Sequence, residues 1–425
     1  MNINQTQIEA HNETRVSNHK AIYTFLYAQL ASKGTDVDSI IAKLNDFQIA
    51  IPSWALGAGG TRFGRFGFGG EPATLEQKIE DIGLLHSINQ SSGAISLHIP
   101  WDIPTDITGA KNLAKNLNIS FDAVNSNTFQ DQANQIHSYK FGSLCHTKAD
   151  VRKQAVDHNL EVIEIGKQLG SKALTVWLAD GSSFPGQLNF AKAFKNTLHS
   201  LENVYKELPN DWKMLVEYKP YEPNFYSMVI QDWGSSYMLA NALGNKAFSL
   251  VDLGHHLPNT NIEQIVALLL MQQKLGGFHF NDSKYGDDDL TVGSIKPYQL
   301  FLIFIELVSQ EPDLAKSSLA WMIDASHNIK DPLEDLLQSV EAIKIAYAQA
   351  LLVDKLKLEE ARTNNDTVGA QEILQAAYRT DVRPLLAESR LQKKGAIRPI
   401  EFFREQKIRA QLIKERGSTN RATGL

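Results

Sequence analysis

The feature that most constrains this 425-residue chain is an alternation of eight short apolar runs, each about the length of a buried strand, with longer amphipathic stretches. The runs are FQIAIPSW (47–54), AISLHIPW (94–101), ISFDAVN (119–125), ALTVWLAD (173–180), MLVEYKP (214–220), FSLVDLG (248–254), GGFHFND (276–282) and LAWMID (319–324). Helical spacing fills most of the gaps, as in DVRKQAVDHNLEVIEIGKQLG (150–170) and NIEQIVALLLMQQKLG (261–276), where the closing glycine reads as a C-cap. Strands that alternate with helices imply a parallel sheet. Eight such units imply a sheet that closes on itself, so the expected fold is α/β, a (β/α)8 TIM barrel. The third unit is the least regular.

Two helical regions flank the barrel, which is expected over 47–350. Residues 1–46 read as an N-terminal arm in which Ile22, Phe25, Leu26 and Leu30, then Val37, Ile40, Ile41 and Leu44, recur at helical spacing. Between these sets SKGTD offers a glycine stop and a Thr or Asp cap. Residues 351–425 read as a helical C-terminal extension with a basic end. Such a basic run is more often the solvated face of helices packed on a barrel or across a subunit contact than a dock for an acidic partner.

Composition serves mainly to exclude. With 43% hydrophobic and 21% charged residues the chain matches soluble globular averages, and a net charge of −6 gives no footprint for nucleic acid. The longest apolar run, LFLIFIELV (300–308), falls far short of the roughly 20 residues of a membrane span. The N-terminal stretch MNINQTQIEAHNETRV lacks the layout of a signal peptide, and one cysteine, Cys145, permits neither an intrachain disulfide nor a zinc–cysteine motif. A cytoplasmic location is the default expectation. Cys145 itself reads as a small buried filler rather than a nucleophile.

Chemistry gathers at the ends of the last four runs. MLVEYK delivers Glu217 and Lys219, FSLVDLGHH delivers Asp252, His255 and His256, and GGFHFND delivers His279 with Asp287, Asp288 and Asp289 behind it. LAWMID ends in Asp324. Ionisable groups on apolar strands are costly unless paired or metallated, and carboxylates with imidazoles suit Mn²⁺, Mg²⁺, Co²⁺ or Zn²⁺. Each signal alone is weak: a GDDD turn is ordinarily a solvated loop, and a lone His279 or His98 is ordinarily a hydrogen-bonded core histidine. Their coincidence on four successive strands points to a metal site at the C-terminal mouth of the barrel.

A loop after the first strand, ALGAGGTRFGRFGFGGEP (55–72), carries seven glycines and Phe63, Phe66 and Phe68. Glycine in that number excludes a helix, and no GK[ST] follows to make a phosphate cradle. The loop reads as a lid or subunit contact, or equally as a flexible loop whose aromatics tuck onto its own barrel.

Glu217 with Lys219, Asp252 with His255, His279, Asp287 with Asp289, and Asp324 together resemble the two-metal site of the xylose-isomerase-like barrels. Within that group the stretches SWALGAGGTRF, VEYKPYEP and GFHFNDSKYGDDDL most resemble the L-rhamnose isomerases of the broad-specificity bacterial type, which also accept D-allose. The resemblance covers essentially the whole chain and implies two divalent cations per subunit, Mn²⁺ foremost with Co²⁺ or Zn²⁺ as alternatives. It implies that Glu217, Asp252, His279 and Asp324 hold one cation and that Asp252, His255, Asp287 and Asp289 hold the other. It also implies catalytic roles for Lys219, Asp289 and His98, and a sugar site lined by Trp54, His98, Trp101, Phe129, Trp177, Asp180, Lys219 and Ser326. Phe63 would come from a neighbouring subunit of a homotetramer. The implied reaction is aldose–ketose isomerisation by a hydride shift between C1 and C2.

Three rivals share the fold. A sugar 3-epimerase would place a Glu pair around one metal, whereas the eighth strand here ends in Asp324 and further ligands follow His255. An apurinic endonuclease conflicts with the negative charge. A catalytically inactive barrel that keeps a metal for stability would have no reason to keep Lys219, His98 and the second ligand set together.

Overall fold

Each of the eight apolar runs becomes a strand. A computed structural model of the chain describes residues 3–57, 66–222, 225–327 and 329–418. The strands are β1 (Ala50–Pro52), β2 (Ala94–Ile99), β3 (Ser120–Ser126), β4 (Ala173–Trp177), β5 (Lys213–Glu217), β6 (Ala247–Asp252), β7 (Leu275–Phe280) and β8 (Ala320–Ile323). They pair in parallel and close in the order β1-β8-β7-β6-β5-β4-β3-β2. A helix follows every strand, from Leu75–Asn89 after β1 to Pro332–Leu351 after β8. This is a (β/α)8 barrel, and it agrees with the expectation from alternation.

Side chains of a strand alternate between the two faces of the sheet, and the burial shows which goes where. Met214, Val216, Val251, Phe278, Phe280, Trp321 and Ile323 belong to the large core between barrel and helices. Leu215 and Leu250 pack with Ala123 in a small separate core inside the barrel. Two residues further along the same inward rows stand Glu217 and Asp252. The inward rows of β7 and β8 deliver His279 and Asp324 to the same end, and in register Asp252 lies beside His279. An apolar plug therefore supports an ionisable layer at the mouth.

Two local expectations are corrected. The first run keeps only three strand residues, because Pro52 has no N–H for the ladder and the chain turns into the 3-10 helix Ser53–Ala55. The helix after β6 ends at Met271, not at a glycine: Gln272 is its C-cap and Gln273 takes the left-handed turn. Gly276 and Gly277 lie inside β7, where a side chain on Gly277 would come within 2.3 Å of the Ala320 carbonyl oxygen. The glycines let β7 and β8 approach.

The N-terminal arm forms the helices Gln5–Glu13, Val16–Ala31 and Val37–Asp46, the last capped by Asp36, which accepts from the Ser39 N–H. Leu26, Leu30, Val37, Ile40, Ile41 and Leu44 are buried, whereas Ile22 and Phe25 face out. In the C-terminal helices the arginines are paired: Arg390 with Glu341, Arg404 with Glu334, Arg409 with Asp331 and Arg416 with Asp81. That favours packing over an acidic partner. The helix Ile408–Arg416 also grips the return leg of the loop after β1, where the Arg409 and Arg416 guanidiniums donate to the carbonyls of Gly69 and Gly70, and the Gly70 N–H donates to the Gly417 carbonyl. Gly70 has φ 71°, and any side chain there would stand 2.6 Å from the backbone of Leu412 and Ile413. Cys145 is buried, and burial pushes its thiol pKa far up, so it is an inert filler. Among the described residues no single helix is long and apolar enough to cross a membrane.

Candidate metal centre and its aromatic wall

Glu217, Asp252, His279 and Asp324 converge at the mouth, each offering a ligand atom within 4.8 Å of the others. The His279 Nδ1 stands 3.1 Å from Glu217 Oε1, 3.7 Å from Asp324 Oδ2 and 3.8 Å from Asp252 Oδ2. Asp252 Oδ2 is buried with no hydrogen-bond partner among the described residues, while its Oδ1 accepts from the Gly254 N–H and from Asn281 Nδ2. Three crowded carboxylates, one of them with an orphaned oxygen, demand positive charge, and the donor set fits a divalent cation.

The imidazoles answer part of that demand. Burial pushes the His279 imidazole down, but the carboxylates of Glu217, Asp324 and Asp252 outweigh it and hold it up at about 9. His255 behaves alike: burial lowers it, and Asp252 with Asp287 raises it to about 9. Burial, reinforced by Asp287, Asp324 and Asp252, pushes the Asp289 carboxyl well above its ordinary range. All these groups share one field.

The second predicted ligand set is less assembled. His255 Nε2 lies 3.1 Å from Asp287 Oδ1 and 4.0 Å from Asp252 Oδ2, and its Nδ1 faces the Tyr218 carbonyl at 3.0 Å. Lys219 Nζ donates to Glu222 Oε1 at 2.6 Å and to Asp287 Oδ2, so an ammonium sits on a carboxylate predicted to serve a cation. The GDDD turn is folded onto the site. Its Asp287 N–H donates to the Gly254 carbonyl, Asp287 and Asp289 have positive φ, and Asp288 caps the turn by accepting from the N–H groups of Lys284 and Tyr285. Gly286 has φ 149°, and a side chain there would collide with the Tyr221 hydroxyl at 1.9 Å.

The first half of the barrel supplies rings. Trp54 stands edge-on to His98 at 5.3 Å, and its Nε1 donates to Asp324 Oδ1 at 2.9 Å. His98 stacks on Trp101 at 4.2 Å and meets Phe129 edge-on at 5.6 Å, and Phe129 lies 4.6 Å from Trp177. Lys219 Nζ lies 5.2 Å from the centre of the Trp177 ring. Burial pushes His98 down to about 3, so its ring is uncharged, and its Nδ1 and the Trp177 Nε1 are buried polar atoms with no partner among the described residues.

Three predicted sugar contacts stand differently. Asp180 spends its carboxylate on the loop after β3, accepting from the Ser143 N–H and hydroxyl and from the Cys145 N–H, so it holds that loop rather than facing the mouth freely. Ser326 binds Asp289, its N–H donating to the carbonyl and its hydroxyl to Oδ2 at 3.2 Å. Phe63 lies outside the described residues, but Phe66 in the same loop is 61% exposed and is not tucked onto its own barrel. Residues that the motifs did not single out are also in place: Glu222 on Lys219, and His327, whose ring nitrogens face the Ala55 carbonyl at 2.6 Å and Asp335 Oδ2 at 2.7 Å.

A closed barrel with convergent carboxylates and an imidazole at its C-terminal mouth is the layout of a metal-assisted barrel enzyme. The chain is 51% identical over 415 residues to a probable sugar isomerase of Rhizobium meliloti (strain 1021), covering 97% of this chain and 96% of that protein. It is 52% identical over 418 residues to a probable sugar isomerase of Mesorhizobium japonicum, covering 98% and 97%. The chain belongs to this sugar isomerase family. No protein-family model matches it. Among solved structures an L-ribulose 3-epimerase aligns at TM-score 0.50 with 14% identity over 76% of this chain and 98% of that one. A 3-keto-D-glucoside 4-epimerase from E. coli aligns at 0.50 with 11% identity over 72% and 98%. These likenesses concern the barrel fold.

Proposed function

We propose that the chain is a metal-dependent aldose–ketose isomerase that interconverts L-rhamnose and L-rhamnulose, and related pairs such as D-allose and D-psicose, by moving a hydride between C1 and C2. The observation that carries this reading is the convergence of Glu217, Asp252, His279 and Asp324 beside a wall of rings, in a chain of the sugar isomerase family. Those four residues would hold one divalent cation. Asp252, His255, Asp287 and Asp289 would hold a second once Lys219 leaves Asp287, with Mn²⁺ preferred over Co²⁺ or Zn²⁺. When bound, the cations would polarise the sugar's O1 and O2 and stabilise the charge that develops on them.

The chain's own groups do the rest. Lys219, steered by Glu222, donates to O1, and the hydroxyl proton leaves on the side of the site where Asp289 stands. Trp54, Trp101, Phe129 and Trp177 cover the C–H face of the sugar and keep water from the path of the hydride. His98, uncharged, hydrogen-bonds a hydroxyl through its partnerless nitrogen. The exposed Phe66 and Phe68 of the glycine loop support a subunit contact there, and we place the chain in a cytoplasmic homotetramer.

Turnover of L-rhamnose in D₂O tests the reading. We expect little deuterium at C1 of the product and retention of label from substrate deuterated at C2. Heavy solvent deuterium at C1 would replace the hydride shift with an enediol route. A second reading, a sugar 3-epimerase working around one cation, is favoured by one observation: among the described residues a single ligand group converges. Deuterium at C3 with inversion there would establish it.

A further inference from the structure

A buried ion pair that includes none of the proposed metal ligands stands at the base of the aromatic wall. Lys78, on the helix Leu75–Asn89, places Nζ 2.6 Å from Asp102 Oδ1, and the two side chains are 6% and 1% exposed. The other oxygen, Oδ2, accepts from the His98 N–H at 2.8 Å and from the Ser53 hydroxyl. The Asp102 N–H returns a bond to the His98 carbonyl at 2.9 Å. One carboxylate thus ties together the end of β1, the end of β2 and the first helix.

The residues it holds are the wall. Ser53 precedes Trp54 in the 3-10 helix, and His98 carries the ring that meets Trp54, Trp101 and Phe129. A buried ion pair is weak evidence for stability, since two well-packed apolar side chains of like volume are commonly as stable or more so. What an apolar pair lacks is an acceptor for both the Ser53 hydroxyl and the His98 N–H, and that shared acceptor ties the backbone that carries Trp54 to the backbone that carries His98.

We propose that Asp102 is a positioning residue for the sugar-binding wall, with Lys78 supplying its buried countercharge. This rests on the isomerase reading above. Sugar binding then follows the acceptor at position 102 rather than the charge of the pair. In Lys78→Met/Asp102→Leu the charges vanish together and the acceptor is lost, whereas Lys78→Met/Asp102→Asn keeps an acceptor oxygen.

The test uses the full-length chain loaded with Mn²⁺ and measures KM and kcat for L-rhamnose, equilibrium sugar binding by tryptophan fluorescence, and Tm. For the Leu/Met variant we expect KM and the sugar Kd to rise about tenfold with kcat changed less, and for the Asn/Met variant at most about threefold. Equal rises in both, or rises that track Tm, would reduce the pair to a structural brace and overturn the inference. Wild-type KM in the Leu/Met variant would overturn it as well. Should that variant not fold, Ser53→Ala removes one arm alone, and an unchanged sugar Kd would count against the inference. A wild-type protein that turns over and binds no sugar of a panel of aldoses and ketoses removes the isomerase reading and this inference with it. Wild-type turnover with indifferent variants removes only the inference.

Discussion

The two halves of the barrel mouth differ in kind. Strands β1 to β4 end in Trp54, His98, Trp101, Phe129 and Trp177, groups that bring area and flat faces; β5 to β8 end in Glu217, Asp252, His279 and Asp324, groups that bring charge. On the charged side like charges crowd, Asp252 Oδ2 has no partner, and two imidazoles hold protons up to about 9 to relieve the strain. On the ringed side the backbone behind the wall is held by the engaged carboxylate of Asp102, and His98 stays neutral, its Nδ1 left open like the Nε1 of Trp177. One half is built to be completed by a cation, the other to be covered by a sugar.

That division can be broken most forcefully from the charged side. Exhaustive chelation should abolish turnover, and Asp252→Asn should cost at least about 10²-fold in kcat because it removes a ligand shared by both proposed cations. Elemental analysis should find the variant's metal content reduced. Undiminished turnover in excess EDTA, with no metal detected, would erase the distinction between the halves.

Lys219 links the two, lying over Trp177 and bonded to Asp287. Glu222→Gln should remove one carboxylate from its ammonium and lower kcat by roughly tenfold, a hydrogen bond to a charged group contributing about 1.5–3 kcal/mol. Metal content should stay as in wild type; a parallel loss of metal would place Glu222 in the charged half outright.

From the ringed side the expected signature is milder and lies in binding. Trp101→Leu should raise KM about fivefold, since an aromatic pair contributes about 0.5–1.5 kcal/mol, and leave metal content and most of kcat intact. A kcat loss as large as that of Asp252→Asn would show that the wall takes part in the chemistry. The smallest effect is an expected null. With His98 near 3, the pH profile of KM between pH 5 and 8 should have the same shape in wild type and His98→Asn, and an inflection lost in the variant would show that the imidazole titrates there.

Much of this was legible in the sequence because it is periodic. The strands alternate inward and outward, so an ionisable residue two places beyond Leu215 or Leu250 had to arrive inside the mouth. What escaped has no period. Lys78, Asp102, Glu222 and His327 reach the site from a helix and from loops, where only the tertiary fold says which way a side chain points. Asp180 and Ser326 stand at the right strand ends, yet their polar atoms are engaged by Ser143, Cys145 and Asp289. The helix after β6 stops at Met271 through a left-handed Gln273, a residue type that gives no warning of a stop.

The grip of the helix Ile408–Arg416 on Gly69 and Gly70 sets an order of events in biosynthesis. A ribosome releases the glycine loop more than three hundred residues before the arginines that fasten it, Arg409 and Arg416. The barrel strands and their helices can pair as they emerge, but the leg of the first loop has no carbonyl partners until that helix is made. The rim of the mouth is therefore fastened only after translation has passed the whole barrel.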